Sequence, residues 1–187
     1  MRSVPWHTHP FVSGVLVVSD ATRLPLAREA ADSFTKQDWP VKELVIVNTT
    51  GVPVGQGREL LFTVAPTSDR NELVRIGYCA SGGEWCAVLD DNAWYAPEYI
   101  KTQMAQAVDG VRVMLTSGVF YFDTRHHTTV RRWDMASYVF KRTAETQLPS
   151  EVTAEALRAA FKSVYIVDPH AEAPLVTRFL YAHTPSD

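Results

Sequence analysis

The chain has 187 residues, 46% of them hydrophobic and 21% charged, and a formal net charge of −3. That length suits a single domain over residues 1–187 with a sizeable core, and the mild negative charge argues against a polyanion-binding protein. No stretch approaches the roughly 20 apolar residues of a membrane span, and Met1–His7 lacks the apolar run of a secretory signal, so a cytoplasmic protein with no membrane span is expected.

Gly14–Val18 is a compact β-rich run that stops at Ser19-Asp20. Leu26, Ala30, Ala31 and Phe34 then recur at helical intervals, which predicts a helix over Pro25–Phe34. Trp39-Pro40 closes it, because proline biases its predecessor away from helix. Leu44–Val47 reads as a second buried strand, ending at Asn48-Thr49-Thr50-Gly51. Strand, helix and strand in succession make a crossover unit with a parallel sheet. Leu60–Val64 is a third strand, and Asn71–Cys79 a helix with Leu73, Ile76 and Gly77 placed to pack and Gly82-Gly83 as its stop. Trp85–Leu89 is the next strand, and Pro97–Val108 a helix with Pro97 in its first turn.

From Val111 the chain turns to β texture. Val111–Leu115, Val119–Asp123 and Ala136–Arg142 read as strands, and the polar stretch Thr124–Arg132, with His126, His127, Arg131 and Arg132, as a solvated loop. Glu151–Phe161 reads as a helix, and Val164–Val167 and Phe179–Tyr181 as closing strands. Cys79 and Cys86 are read as buried thiols acting as small hydrophobes. The fold class is therefore α/β.

An open parallel sheet binds ligands beyond the carboxyl ends of its strands. Three such ends are polar here: Ser19-Asp20, Asn48-Thr49 and Asp90-Asp91-Asn92. The last is the most informative, since the apolar run Trp85–Leu89 gives way at once to a cluster of acidic and amide oxygens. Hard cations such as Mg²⁺ or Mn²⁺ take oxygen ligands; Asp and Asn also favour plain turns. Gly55-Gln56-Gly57 lacks the strand and helix context of a dinucleotide or phosphate-binding loop.

In this pattern the chain resembles the inverting, nucleotide-sugar-dependent glycosyltransferases of the GT-A fold, the family 2 group. Val15–Arg23 is similar to that family's first strand and donor-binding turn, and Gly83-Glu84 to the Gly-Glu pair leading into its metal strand. Leu89-Asp90-Asp91-Asn92 followed by Trp94-Tyr95-Ala96-Pro97-Glu98 is the strongest match. Ala136–Arg142 resembles a later strand ending in two basic residues, and Tyr181-Ala182-His183 a closing Tyr-X-X-His element, one residue shorter.

The resemblance implies a GT-A-like open mixed sheet with a Rossmann-like N-terminal half and helices on both faces. It implies transfer of a sugar from a nucleotide diphosphate donor to an acceptor hydroxyl (on a glycan, a lipid-linked molecule, a protein or a nucleic acid), with inversion and with Mn²⁺ or Mg²⁺. Asp20, Asn48, Thr49, Arg75, Asp90 and Asp91 would contact the donor, and Asp91, Asn92 and His183 the metal. Asp90 would position the metal loop or the ribose, and Glu151 would be the catalytic base. The chain departs from the family at Asn92, where a second carboxylate is usual, at Asn48 and Thr49, where an acidic base-reading residue is usual, and at Val74-Arg75, where an Arg/Asn pair is usual. Glu151 has a structural alternative, with Ser150 capping a helix and Glu151 at its positive end. A GT-A-fold protein that binds nucleotide or glycan without transfer is the alternative function. A nucleotidyltransferase fits less well, because its glycine-and-basic diphosphate loop is missing.

Overall fold

The computed structural model describes residues 9–62, 67–107, 111–116, 119–123, 128–132, 137–142, 156, 159, 164–167 and 176–180. In chain order its elements are β1 (Val12–Val18), a 3₁₀ turn (Ala21–Arg23), α1 (Leu24–Thr35), β2 (Lys42–Asn48), β3 (Arg58–Leu61), α2 (Arg70–Ala80), β4 (Trp85–Leu89), β5 (Ala93–Tyr95) and α3 (Tyr99–Ala105). These are followed by β6 (Val113–Thr116), β7 (Val119–Asp123), β8 (Thr128–Arg132), β9 (Ser137–Lys141), β10 (Val164–Val167) and β11 (Val176–Leu180).

Seven strands form one sheet in the order β10-β6-β9-β4-β1-β2-β3. β1 pairs in parallel with both β2 and β4, and β2 with β3. β9 runs antiparallel between β4 and β6, so it opposes the direction of its sheet-mates. A second sheet has the order β5-β11-β7-β8. The first sheet is therefore open and mixed, with a parallel, Rossmann-like N-terminal half, as the sequence predicts.

Period-two alternation explains how β1 serves two cores. Val12, Leu16 and Val18 point to one face, where α1 supplies Leu24, Ala27, Ala30, Ala31 and Phe34, and α3 supplies Tyr99, Ile100 and Met104. Val15 and Val17 point to the other, against Leu73 and Val74 of α2 and Cys86, Val88 and Phe140. Helices thus lie on both faces. Gly77 lets α2 sit tight on the sheet: a Cβ there would stand 2.5 Å from Val15 Cγ1. Gly83 is needed for the same reason, since its Cβ would meet Ser13 Oγ at 2.5 Å.

The end of α2 agrees with its predicted bound to one residue, at Ala80, with Ser81 as an extended C-cap and Gly82 directly after it. Several local expectations are corrected. The helix after Pro97 starts at Tyr99 with Glu98 at its N-cap, so Pro97 precedes the helix rather than sitting in its first turn. Thr128–Arg132, read as part of a solvated loop, forms β8 and pairs with β7. Cys79 is exposed and only Cys86 is buried; both are free thiols. Of the predicted helix Glu151–Phe161, Ala156 and Ala159 are described and are helical.

Candidate active site

Register puts the three polar strand ends at one edge of the sheet and brings two of them into one cavity. Leu16 of β1 faces Leu89 of β4, and Val18 faces Asn48 of β2. Ser19-Asp20 and Asp90-Asp91-Asn92 therefore leave the sheet side by side. They line a cavity of about 290 Å³ together with Arg23 and Arg70, at the small end of the roughly 300–1,000 Å³ usual for ligand pockets. A larger hollow of about 770 Å³, bounded by His9, Gln37, Trp39, Lys42 and Lys101 among others, lies beside the start of β2. It shares no lining residue with the acidic cavity and carries Lys42 and Lys101 with Asp38 as its charged groups.

The turn at Asp91-Asn92 carries the chain from the first sheet into β5 of the second. It is braced from behind: the Tyr95 hydroxyl accepts the Asp90 N–H at 2.7 Å. Gln37, buried at the end of α1, donates to the carbonyls of Ala96 at 2.7 Å and Tyr95 at 3.3 Å, and accepts the Ile100 N–H at 3.0 Å. One satisfied amide thus ties α1, β5 and α3 together below the acidic turn, and an unmet polar atom there would be costly.

Asp91 is the most buried of the acids, its side chain 7% exposed, with Arg23 Nη1 at 3.3 Å from Oδ1. Burial pushes its carboxyl above the usual aspartate range, against the pull of Arg23 and Arg70 and with that of Asp90. Asp90 is held by Arg70, Nη2 to Oδ1 at 2.8 Å. Asp20 caps the 3₁₀ turn: Oδ1 accepts from Thr22 N and Oγ1 at 2.9 and 2.6 Å, and Oδ2 lies 3.7 Å from Arg23 Nε.

Other predicted donor contacts lie elsewhere. Asn48 is fully buried, and its amide donates to Val52 O at 2.9 Å and Glu59 Oε1 at 2.5 Å while accepting from Thr50 N and Oγ1. It organises the loop in which Gly51, Gly55 and Gly57 take positive φ. Thr49, half-buried, spends its N–H on Val18 O and does not line the acidic cavity. Arg75 is on α2, 3.4 Å from Glu72 Oε2, and also outside that lining. Glu151 and His183 fall outside the described residues.

Arg23 and Arg70 have no role in the sequence reading. A signal existed: Arg23 is the N-cap of α1 and Arg70 the first residue of α2. The helix dipole disfavours a cation at either place by about 0.3–1 kcal/mol, so something else must hold them there. Trp94, on β5 just past the acidic turn, is 36% exposed.

The donor set suits a hard cation that arrives with its own anionic ligands. The Asp20, Asp90 and Asp91 carboxylates and the Asn92 amide line one cavity, yet among the described residues no three His, Cys, Asp or Glu side chains gather closely enough to hold a metal alone. Mg²⁺ is ordinarily bound by one or two carboxylates plus substrate phosphates, and Asp90, Asp91 and Asn92 fit that arrangement.

No family model and no curated protein sequence matches the chain. Solved structures do. TarS of S. aureus superposes with a TM-score of 0.65 over 90% of this chain and 60% of its own, at 11% identity. The chain has the GT-A glycosyltransferase fold. The mannosyltransferase PcManGT of Pyrobaculum calidifontis, solved with GDP-Man and Mn²⁺, matches with a TM-score of 0.60 over 95% of this chain and 60% of that one, at 15% identity. Glucosyl-3-phosphoglycerate synthase of Mycobacterium tuberculosis, solved with Mn²⁺, UDP and phosphoglyceric acid, matches with a TM-score of 0.62 over 89% of this chain and 72% of that one, at 16% identity. This GT-A-fold chain thus spans about three-fifths of the length of the TarS and PcManGT chains. Among its described residues no helix is long and apolar enough to cross a membrane.

Proposed function

We propose that the chain is an inverting glycosyltransferase that moves a sugar from a nucleotide diphosphate donor to an acceptor hydroxyl with the help of Mn²⁺ or Mg²⁺. The observation that carries this is the convergence of Asp20, Asp90, Asp91 and Asn92 at the carboxyl ends of β1 and β4 in a GT-A sheet, where open α/β sheets take their ligands. TarS, solved with UDP-GlcNAc and with UDP, and PcManGT, solved with GDP-Man and Mn²⁺, give the donor class and the cation their precedent.

In this reading Asp91 and Asn92 hold the cation, with His183 as a further ligand, and Asp90 keeps the turn in register through Tyr95 and Arg70. Bound there, a divalent cation supplies Lewis-acid neutralisation of charge developing on the departing diphosphate. Asp20 and Thr49 face the nucleoside. Asn48 supports the neighbouring loop, and Arg75 serves the donor only from the flank of α2. Glu151 takes the proton from the acceptor hydroxyl, a role that requires hydrogen-bond reach of that oxygen. Trp94 offers an apolar face to a sugar ring next to the acidic turn.

The test is turnover. UDP-, GDP- and dTDP-sugars are incubated with Mn²⁺ and a panel of hydroxyl acceptors, and release of the nucleoside diphosphate is followed. Transfer should fall about 100-fold or more in Asp91→Asn, as on loss of a group that stabilises transition-state charge. Nucleotide binding without product release from any donor would leave the binding-only alternative standing instead.

A further inference from the structure

The acidic cavity is lined by three carboxylates and two guanidiniums, and the way they pair is asymmetric. Two of the carboxylates are shielded, the side chain of Asp91 being 7% exposed and that of Asp90 19%, whereas Asp20, 48% exposed and 3.7 Å from Arg23 Nε, is open to solvent. Arg23 and Arg70 are each 44% exposed. A shielded carboxylate that stays ionised needs a cation beside it. A half-exposed guanidinium can leave its partner at little cost, because solvent replaces what it loses. Both arginines also sit at helix N-termini, at the head of α1 and α2, where the backbone dipole adds to an attraction for anions and opposes the residence of a cation.

We propose that Arg23 and Arg70 are exchangeable counter-ions. They neutralise Asp91 and Asp90 while no donor is present, and pass to the diphosphate oxygens when a nucleotide diphosphate binds, leaving the two carboxylates to the divalent cation. The proposal rests on the donor and cation assignment above and deepens it. Guanidinium suits the exchange, since its planar fork matches carboxylate and phosphate alike. It also offsets the missing carboxylate at Asn92: charge that a second acid would hold on the protein through the metal is held on the phosphate by arginine.

Consequences follow for each ligand alone. A free divalent ion must displace both arginines from their acids, and a free diphosphate must approach two carboxylates. Together the two ligands give Asp90 and Asp91 a cation and each arginine an anion, while Asp20, half-exposed, is left to solvent. Cation and diphosphate therefore bind with positive coupling, and each raises the affinity of the other by the same factor.

The experiment uses the full chain, with Mn²⁺ alone, inorganic pyrophosphate alone and each in the presence of the other, read by calorimetry and by the electron spin resonance of free Mn²⁺. Arg23→Gln and Arg70→Gln should bind Mn²⁺ alone more tightly than the parent and bind pyrophosphate about tenfold more weakly. Arg70→Lys, which keeps charge without the fork, should restore resistance to Mn²⁺ while pyrophosphate binding stays weakened, and it serves if a Gln variant does not fold. Mn²⁺ affinity unchanged or reduced in the Gln variants, with a parent that couples the two ligands, overturns the exchange and leaves the transferase reading intact. A parent that binds neither pyrophosphate nor UDP in the presence of Mn²⁺ removes both.

Discussion

Asp91 shows how much of the site depends on one carboxyl in a confined place. Burial raises its pKa above the ordinary aspartate value of about 3.9, so folding takes up a proton at this position and the cation-free protein loses stability as pH climbs from that value through the raised one. Asp91→Asn should remove this component of the pH profile. At neutral pH the cation-free variant should melt no lower than the parent, because Arg23, half-exposed, loses little. The stabilisation given by UDP with Mn²⁺ should shrink sharply. Thermal melts from pH 4 to pH 8, with and without both ligands, check the three statements together.

The two cysteines separate just as clearly. Cys79 is exposed on α2, whereas Cys86 is enclosed in β4 and burial pushes its thiol up to about 12. The thiolate is the reactive species, so Cys86 should stay inert. One thiol should react with a disulfide reagent in the native protein and two after denaturation. Sequence alone treats both as core residues, because an apolar neighbourhood in the chain does not say which side of α2 meets the sheet.

At the scale of elements, the acidic turn is only as well placed as the pieces behind it. Gln37→Leu keeps the volume but strands the Ile100 N–H and two β5-end carbonyls. It should cost about 1–3 kcal/mol, seen as a lower urea midpoint, and should weaken donor binding as Tyr95 and the Asp90 N–H it accepts lose their fixed position. Gly77→Ala drives a methyl against Val15 and lifts α2 from the sheet. A loss of about 1–3 kcal/mol is expected, the usual cost of overpacking, and because Arg70 heads that helix its grip on Asp90 should loosen as well.

The elements most legible in the sequence were those with strong periodicity: β1, α1, β2, α2 and β4, each within a few residues of its predicted bounds. β5 and β8 were not. Ala93–Tyr95 is three residues long, too short for alternation to register. Thr128–Arg132 ends in two arginines, and its pairing with β7 supplies the order that its polarity conceals. α3 starts late because Glu98, not Pro97, occupies the N-cap.

For the whole molecule, the order of elements around Leu89-Asp90-Asp91-Asn92 made the GT-A fold readable, and the sheet order places those residues at the strand ends. The charge balance of the site was not readable in the same way. Arg23 and Arg70 look like surface cations on separate helices, and only the parallel register of β1 with β4 brings them to the same cavity as Asp90 and Asp91. Asn48 illustrates the converse. The resemblance in sequence puts it, with Thr49, at a nucleoside-reading position, yet its amide is fully engaged in shaping the loop that follows β2.

In the proposed site the oxygens beyond β4 and the arginines facing them receive a cation and a diphosphate. A crystal structure of the chain grown with UDP and Mn²⁺ tests it most directly. The metal should lie on Asp91 and Asn92, with the diphosphate between it and the guanidiniums of Arg23 and Arg70. Nucleotide seated in the hollow beside His9, Trp39 and Lys101, with Arg23 and Arg70 still on their acids and no metal at the turn, would contradict it.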